Sequence, residues 1–210
     1  MGFSSCSTER RVRRSTSQPM AIAQKRKIIR PRDVEAIGIP REYLLRLMRQ
    51  GVVRRTGRGV YEPADIRPTE HHSLAVVAKE IPKGVICLLS ALRFHELSTQ
   101  QPNEVWIGIH VRSRSRRVST TACRLIRYSE KTFTSGIKAH TIEGIPVKVF
   151  TAAKTVADCF KYRSKIGLDV AIEALKDALK QRKATVDEIE GYARICRMSR
   201  IIRPYLEALG

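Results

Sequence analysis

Residues 32–61 carry the pattern that most narrows how this chain can fold: two short amphipathic segments, each closed by a glycine, then a hairpin with glycine at its tip. Arg32-Asp33-Val34-Glu35-Ala36-Ile37-Gly38 predicts a short helix ended by Gly38. The turn Gly38-Ile39-Pro40 follows, and Arg41 to Gly51 predicts a second helix stopped at Gly51. Pro40 suits a first helical turn, where a missing N–H costs nothing. Two short helices joined by a tight glycine-containing turn form a helix-turn-helix.

On a wheel of about 100° per residue, the second helix gathers Tyr43, Leu44, Leu47 and Met48 on one arc, the expected core face. Arg41, Leu45, Arg46 and Arg49, with Glu42, fall on the opposite arc. That chemistry suits the major groove: arginine bonds guanine O6 and N7 in pairs, glutamate accepts from cytosine N4, and leucine meets a thymine methyl. Taken alone, the same arc also reads as a solvated charged face.

The next segment sharpens the reading. Val52 to Tyr61 predicts strand, tight turn and strand, with Gly57 and Gly59 supplying positive φ at the turn. A hairpin directly after a recognition helix is a wing, here with Arg54 and Arg55 on its arms and Arg58 at its tip, placed for phosphates or a minor groove. Upstream, Lys25, Arg26, Lys27, Arg30 and Arg32 add a basic flank. The chain carries a formal net charge of +20, and residues 1–68 hold half of it, with 16 basic against 6 acidic side chains. Such an excess repels itself in a compact fold, and a polyanion relieves it while releasing counterions. Double-stranded DNA is therefore the leading partner, with an anionic membrane surface second.

Residues 63–69 read as a linker on their prolines and low apolar content, separating a winged helix at 20–62 from an α+β domain at 70–210. HHSLAVVAKEIP predicts a helix of about ten residues, and VICLLSALRFHEL a buried helix. Val105 to Val111 and Arg124 to Tyr128 predict strands, and HTIEGIPVKVF a hairpin turning at Glu143-Gly144. From Ala152 the period becomes helical, giving four helices, the third capped by Thr185 with Asp187 and Glu188. The expected class is thus α+β: a winged helix-turn-helix, then a domain with a small central sheet and a C-terminal helical bundle. Between the two central strands lies a second basic loop with Arg112, Arg114, Arg116 and Arg117, read either as solvated or as a further contact to DNA, RNA or an acidic protein patch. Residues 1–19, rich in Ser and Arg, are expected to be a disordered basic arm or an over-extended start ahead of Met20, with a transit peptide third.

Chemistry-bearing motifs point away from catalysis. The sequence has no phosphate loop ending in Lys-Ser or Lys-Thr, no His-Glu-x-x-His and no Gly-x-Ser-x-Gly, so no catalytic residue, metal ligand or cofactor is assigned. Ser90 reads as a helix hydroxyl bonded to backbone, and Lys154 with Asp158 as an ordinary i,i+4 pair. Five widely spaced cysteines, Cys6, Cys87, Cys123, Cys159 and Cys196, read as free thiols, four of them buried, and with no signal-like or membrane-spanning apolar run the expected location is the cytoplasm.

The run IIRPRDVEAIGIPREYLLRLMRQGVVRRTGRGVYEP resembles the N-terminal winged helix of the AbiEi family, antitoxins and transcriptional regulators of bacterial type IV toxin–antitoxin systems. GVICLLSALRFHEL, VWIGIHV and IEGIPVKVFTAAKTVADCF are similar to that family's antitoxin domain, so the resemblance spans about residues 24–205. It implies repression of the protein's own operon through inverted repeats, and because winged helices usually read two-fold sites as paired subunits, a homodimer on DNA is expected. It also implies functional neutralisation of a nucleotidyltransferase-like toxin without a stable complex. An enzyme in the C-terminal domain acting on toxin or nucleic acid, and a general RNA-binding module, are the rival readings.

Overall fold

The computed structural model describes residues 28–57, 59–64, 69–113 and 121–209, so the expectations for residues 1–19 and for Arg114, Arg116 and Arg117 lie outside the described residues. The fold is α+β. Helices α1 (Pro31–Glu35) and α2 (Glu42–Arg49) lead into the antiparallel pair β1 (Val53–Gly57) and β2 (Val60–Pro63). Ile29 bridges Tyr61 on the free side of β2, adding a third backbone segment to this small sheet. Pro63, in the expected linker, closes β2 opposite Val53.

The larger unit is built on a five-stranded mixed sheet. Helix α3 (His72–Glu80) precedes strand β3 (Val85–Ile86) and helix α4 (Leu88–Phe94). Strands β4 (Val105–His110) and β5 (Cys123–Tyr128) follow, then helix α5 (Glu130–Thr134) and the hairpin β6 (Ile137–Ile142) and β7 (Ile145–Phe150). The order is β5-β4-β3-β7-β6, with β4 parallel to β5, β3 parallel to β7 and the remaining pairs antiparallel. The β6–β7 turn has positive φ at both Glu143 and Gly144, +53° and +74°, as a two-residue hairpin with native twist requires. Helices α6 (Ala152–Lys161), α7 (Arg163–Ile166), α8 (Leu168–Lys180), α9 (Val186–Cys196) and α10 (Ser199–Glu207) complete the chain.

The apolar run VICLLSALRFHEL is not one helix. Its first residues form the middle strand β3, and the helix begins only at Leu88. The run alternates across the sheet, Val85 packing with one core and Ile86 with the other, a period-2 signal too short to separate from a buried helix by pattern. Ser90 sits in α4 as expected of a structural hydroxyl, its Oγ accepting the Trp106 N–H at 2.8 Å. The short helices α5 and α7 were not anticipated.

Two layers of helix cover the sheet. On one face, α3 packs against Ile86, Ile107, Val147 and Val149. Its residues Leu74 to Lys79 are buried without a break, because the winged helix covers its far side through Ile28 and Val60. A helix that is apolar all round is one buried all round. The other face carries Trp106, Ile126, Tyr128 and Phe150, closed over by α6, α8, α9 and α10. Helix α9 starts with the reciprocal capping expected of its sequence: Thr185 Oγ1 accepts the Glu188 N–H and Glu188 accepts the Thr185 N–H.

Lys154 and Asp158 form the expected i,i+4 pair, but deep in the core. Both side chains are fully buried in α6, with Nζ 2.5 Å from Oδ2. The ammonium also lies over the rings of Phe150 and Tyr128, 4.5 and 5.1 Å from their centroids, and the Cys196 thiol donates to Asp158 Oδ1. Burial pushes the Asp158 carboxyl up, against the pull of Lys154 and Cys196. A buried pair of this kind strands a charge when one member is removed, costing about 3–5 kcal/mol, whereas an apolar pair of similar volume is often neutral. Lys154→Met and Asp158→Leu are each expected to lose about that much stability in urea denaturation, and the double variant to recover most of it. Additive losses would contradict the pairing.

Candidate nucleic-acid interface

The winged helix is assembled around six buried apolar side chains: Ile29, Val34, Leu44, Leu47, Val53 and Tyr61. Tyr43 and Met48 pack half-buried against them, so the arc assigned to the core from helical spacing does face it. Helix α1 begins with Pro31 at its first position, and Asp33 accepts the Arg30 N–H at 2.9 Å. After Glu35 the chain turns through Gly38, whose φ of +78° only glycine adopts without strain. Gly51, at +70°, reverses the chain from α2 into β1. At the wing tip the expectation is half corrected. Gly59 has positive φ, +70°, but Gly57 does not: it ends β1, paired with Val60 beyond a bulge after Arg55.

The opposite arc of α2 is open. Arg41, Glu42, Leu45, Arg46 and Arg49 are all exposed, and Leu45 keeps 43% of its surface accessible. Arg41 and Glu42 touch at 3.5 Å, both largely in solvent, where such a pair contributes little. Among the described residues, Arg46 and Arg49 have no side-chain partner, so both guanidinium forks are available to an incoming acceptor.

The wing adds Arg54 and Arg55, exposed on β1. Arg54 lies 3.5 Å from Glu62, its cross-strand neighbour, and Arg55 Nε donates to the Gly57 carbonyl at 3.0 Å. Arg58 lies outside the described residues. The flank divides: Arg32 is exposed, while Arg30 is half-buried as the residue capping α1. Arg112 is exposed at the end of β4, on the larger unit, where its N–H donates to His110 Nδ1. The structure thus gathers Arg41, Glu42, Leu45, Arg46 and Arg49 on one helix face, with Arg54 and Arg55 on the adjoining hairpin.

A group of polar contacts that sequence reasoning did not anticipate ties this unit to the rest. Lys79 of α3 donates to Asp33 Oδ2 at 2.6 Å and to the Ile28 carbonyl. His72 at the start of α3 reaches Glu62 Oε1 through Nε2 at 2.9 Å and Glu143 Oε2 through Nδ1 at 2.8 Å. Both glutamate side chains are almost wholly buried. Burial pushes the Glu143 carboxyl up, but hydrogen bonds from Thr69 and His72 outweigh it and hold it below its ordinary value. Nothing local marks these residues, since their partners lie 10 and 71 positions away.

Three thiols, Cys87, Cys159 and Cys196, are built into the core. Burial raises Cys87 and Cys159 far above their ordinary range and pushes Cys196 to about 12, so none supplies a thiolate near neutrality. Cys123 is only half-buried, against the expectation of a buried thiol.

Helix-turn-helix, wing and open cationic face together define a winged-helix module of the kind found in transcription regulators. Residues 17–64 match the family described as transcriptional regulator, AbiEi antitoxin, and the family resemblance read from the sequence holds over that segment. The match begins ahead of the described residues and ends at the close of the wing. No curated protein matches the chain. Among the described residues, no helix is long and apolar enough to cross a membrane.

Leu47 has 1% of its surface exposed in a core of six buried side chains, leaving little around it to collapse. Leu47→Ala is expected to cost about 2–5 kcal/mol and to raise amide hydrogen exchange first over residues 28–64. Unchanged exchange there would contradict this packing.

Proposed function

We propose that this protein is a DNA-binding transcriptional repressor and antitoxin of a type IV toxin–antitoxin system, acting on operator repeats of its own operon. The observation that carries the reading is the open arc of α2, where Arg46 and Arg49 stand without partners among the described residues, beside an exposed Leu45. An apolar side chain held in water next to paired-donor guanidinium groups fits base edges better than it fits solvent.

In the proposed mode, α2 enters the major groove and offers Arg46, Arg49, Leu45 and Glu42 to base edges, with Arg41 and Arg32 near the backbone. The hairpin brings Arg54, Arg55 and Arg58 to phosphates or the flanking minor groove, fixing register without reading sequence. Two copies on an inverted repeat would place their α2 helices about one duplex turn apart, roughly 34 Å. The unit from residue 70 onward is assigned the antitoxin role on family resemblance. It would oppose a nucleotidyltransferase-like toxin functionally, without a stable complex. The loop with Arg112, Arg114, Arg116 and Arg117 is proposed as a secondary contact.

The rival enzymatic reading finds little support in the larger unit. One cluster of reactive side chains there, Lys154, Asp158, Tyr128 and Cys87, is fully buried and serves as core.

Arg46→Ala and Arg49→Ala are each expected to reduce the preference for the native upstream repeat over unrelated duplex by about 1–3 kcal/mol. Arg58→Ala should weaken both duplexes alike and lower the slope of log K against log salt by about one. Fluorescence anisotropy across a salt series separates the two effects. Operator preference surviving both α2 substitutions would remove α2 as the recognition helix.

A further inference from the structure

A cavity of about 540 Å³ opens where four elements of the larger unit meet. The end of α4 brings Phe94 and His95, β6 brings Lys138 and His140, α6 brings Ala152 and Ala153, and α9 brings Tyr192. Ligand sites of about 300–1,000 Å³ typically combine ring and apolar walls with a few placed polar groups. The polar inventory of this one is lopsided. Its two acids are engaged, Glu96 with Lys183 and Glu188 in capping α9 through the Thr185 N–H. The carbonyls of His95 and Phe150 accept from Lys183 and from His95 Nε2. Donors are what remain. Among the described residues, the Lys138 ammonium and the Tyr192 hydroxyl have no hydrogen-bond or ion-pair partner. Ala152 and Ala153 carry the first N–H groups of α6, which no carbonyl within the helix reaches. Burial holds His95 and His140 below the ordinary imidazole range, so the positive charge here belongs to the lysines.

We propose that this cavity binds a mononucleotide, its phosphate meeting Lys138 and the open N–H groups of Ala152 and Ala153, its base lying among the rings of Phe94, His140 and Tyr192. A wall with donors to spare and its acceptors in use selects a ligand rich in acceptors and negative in charge. A phosphate monoester is both, with three acceptor oxygens and close to two charges near neutrality. A bare phosphate would fill a fraction of the volume and leave the rings unused. Four rings on the wall, from Phe94, His95, His140 and Tyr192, suit a planar base, which gains contact by stacking whatever its identity. His140 adds an unmet group: its Nε2 is buried with no hydrogen-bond partner, and Phe94 lies edge-on at 4.8 Å between ring centroids. A buried polar atom left alone costs free energy, and a turn of the imidazole onto a base edge would recover it. The site belongs to the larger unit, so it stands or falls apart from the DNA-binding reading.

A chain with a net charge of +20 attracts any phosphate, so the test must report on this cavity and control for bulk charge. Lys148 provides the control. It is exposed on the same hairpin, but it pairs with Ala139 on the opposite face from Lys138, which pairs with Val149. The experiment follows backbone amide resonances of the full chain during titration with adenosine 5′-monophosphate, adenosine and inorganic phosphate at constant ionic strength. The monophosphate is expected to shift Lys138, Ala152 and Ala153 saturably, with adenosine and inorganic phosphate each several-fold weaker. Lys138→Gln is expected to weaken the monophosphate about tenfold, the loss of one charge-assisted contact, and Lys148→Gln to leave it unchanged. Both side chains are exposed, so neither substitution disturbs the core. The assignment is wrong if the monophosphate gives no saturable shift at these amides, or shifts only residues 28–64. It is equally wrong if adenosine or inorganic phosphate matches the monophosphate, or if the two lysine substitutions weaken it alike.

Discussion

The seam between the winged helix and α3 is the interaction on which the rest of this structure rests. Six buried apolar side chains are a small core for a unit of under forty described residues, and units that small seldom stand without a staple. Here the staple is the body of the protein. Ile28 and Val60 leave the winged-helix core and join the cluster of Leu74, Ala75 and Ala78 on α3, while Lys79 pins Asp33 and His72 pins Glu62 at the margins. The apolar contact supplies adhesion. The polar contacts, closed off from water on most sides, supply direction, because a buried polar group left without its partner costs more than a correctly placed one gains.

That docking explains how a chain with a net charge of +20 presents a cationic face in an ordered way. Two acids of the winged helix, Asp33 and Glu62, are drawn inward by Lys79 and His72. What remains outward on α2 and β1 is chiefly arginine. The same division of labour recurs deeper in the molecule, where Lys154 and Asp158 satisfy each other between aromatic rings at the centre of the second core. Charges that define shape are paired and buried, and charges proposed to meet a partner are exposed.

Features with a local cause were legible in the sequence. Gly38, Gly51 and Gly59 mark turns because positive φ is a property of one residue, and Glu143-Gly144 marks its hairpin for the same reason. The open arc of α2 follows from helical spacing alone, and so does its core arc. Features with a distant cause were not legible. Val85 and Ile86 are a strand only because β4 and β7 flank them. Lys154 is buried because Tyr128 and Phe150, from two different strands, close over it. His72 acquires its meaning from a glutamate 71 residues away. Gly57 was misjudged because a bulge moved the turn by one residue, which no composition rule signals.

The most direct test of the account is competition between the native upstream repeat and unrelated duplex of equal length for the full chain at about 150 mM salt. A regulator reading base edges through α2 should prefer its own repeat by at least about 10³-fold. Equal affinity for both duplexes would mean that the cationic face grips phosphate without reading sequence, and would contradict the account.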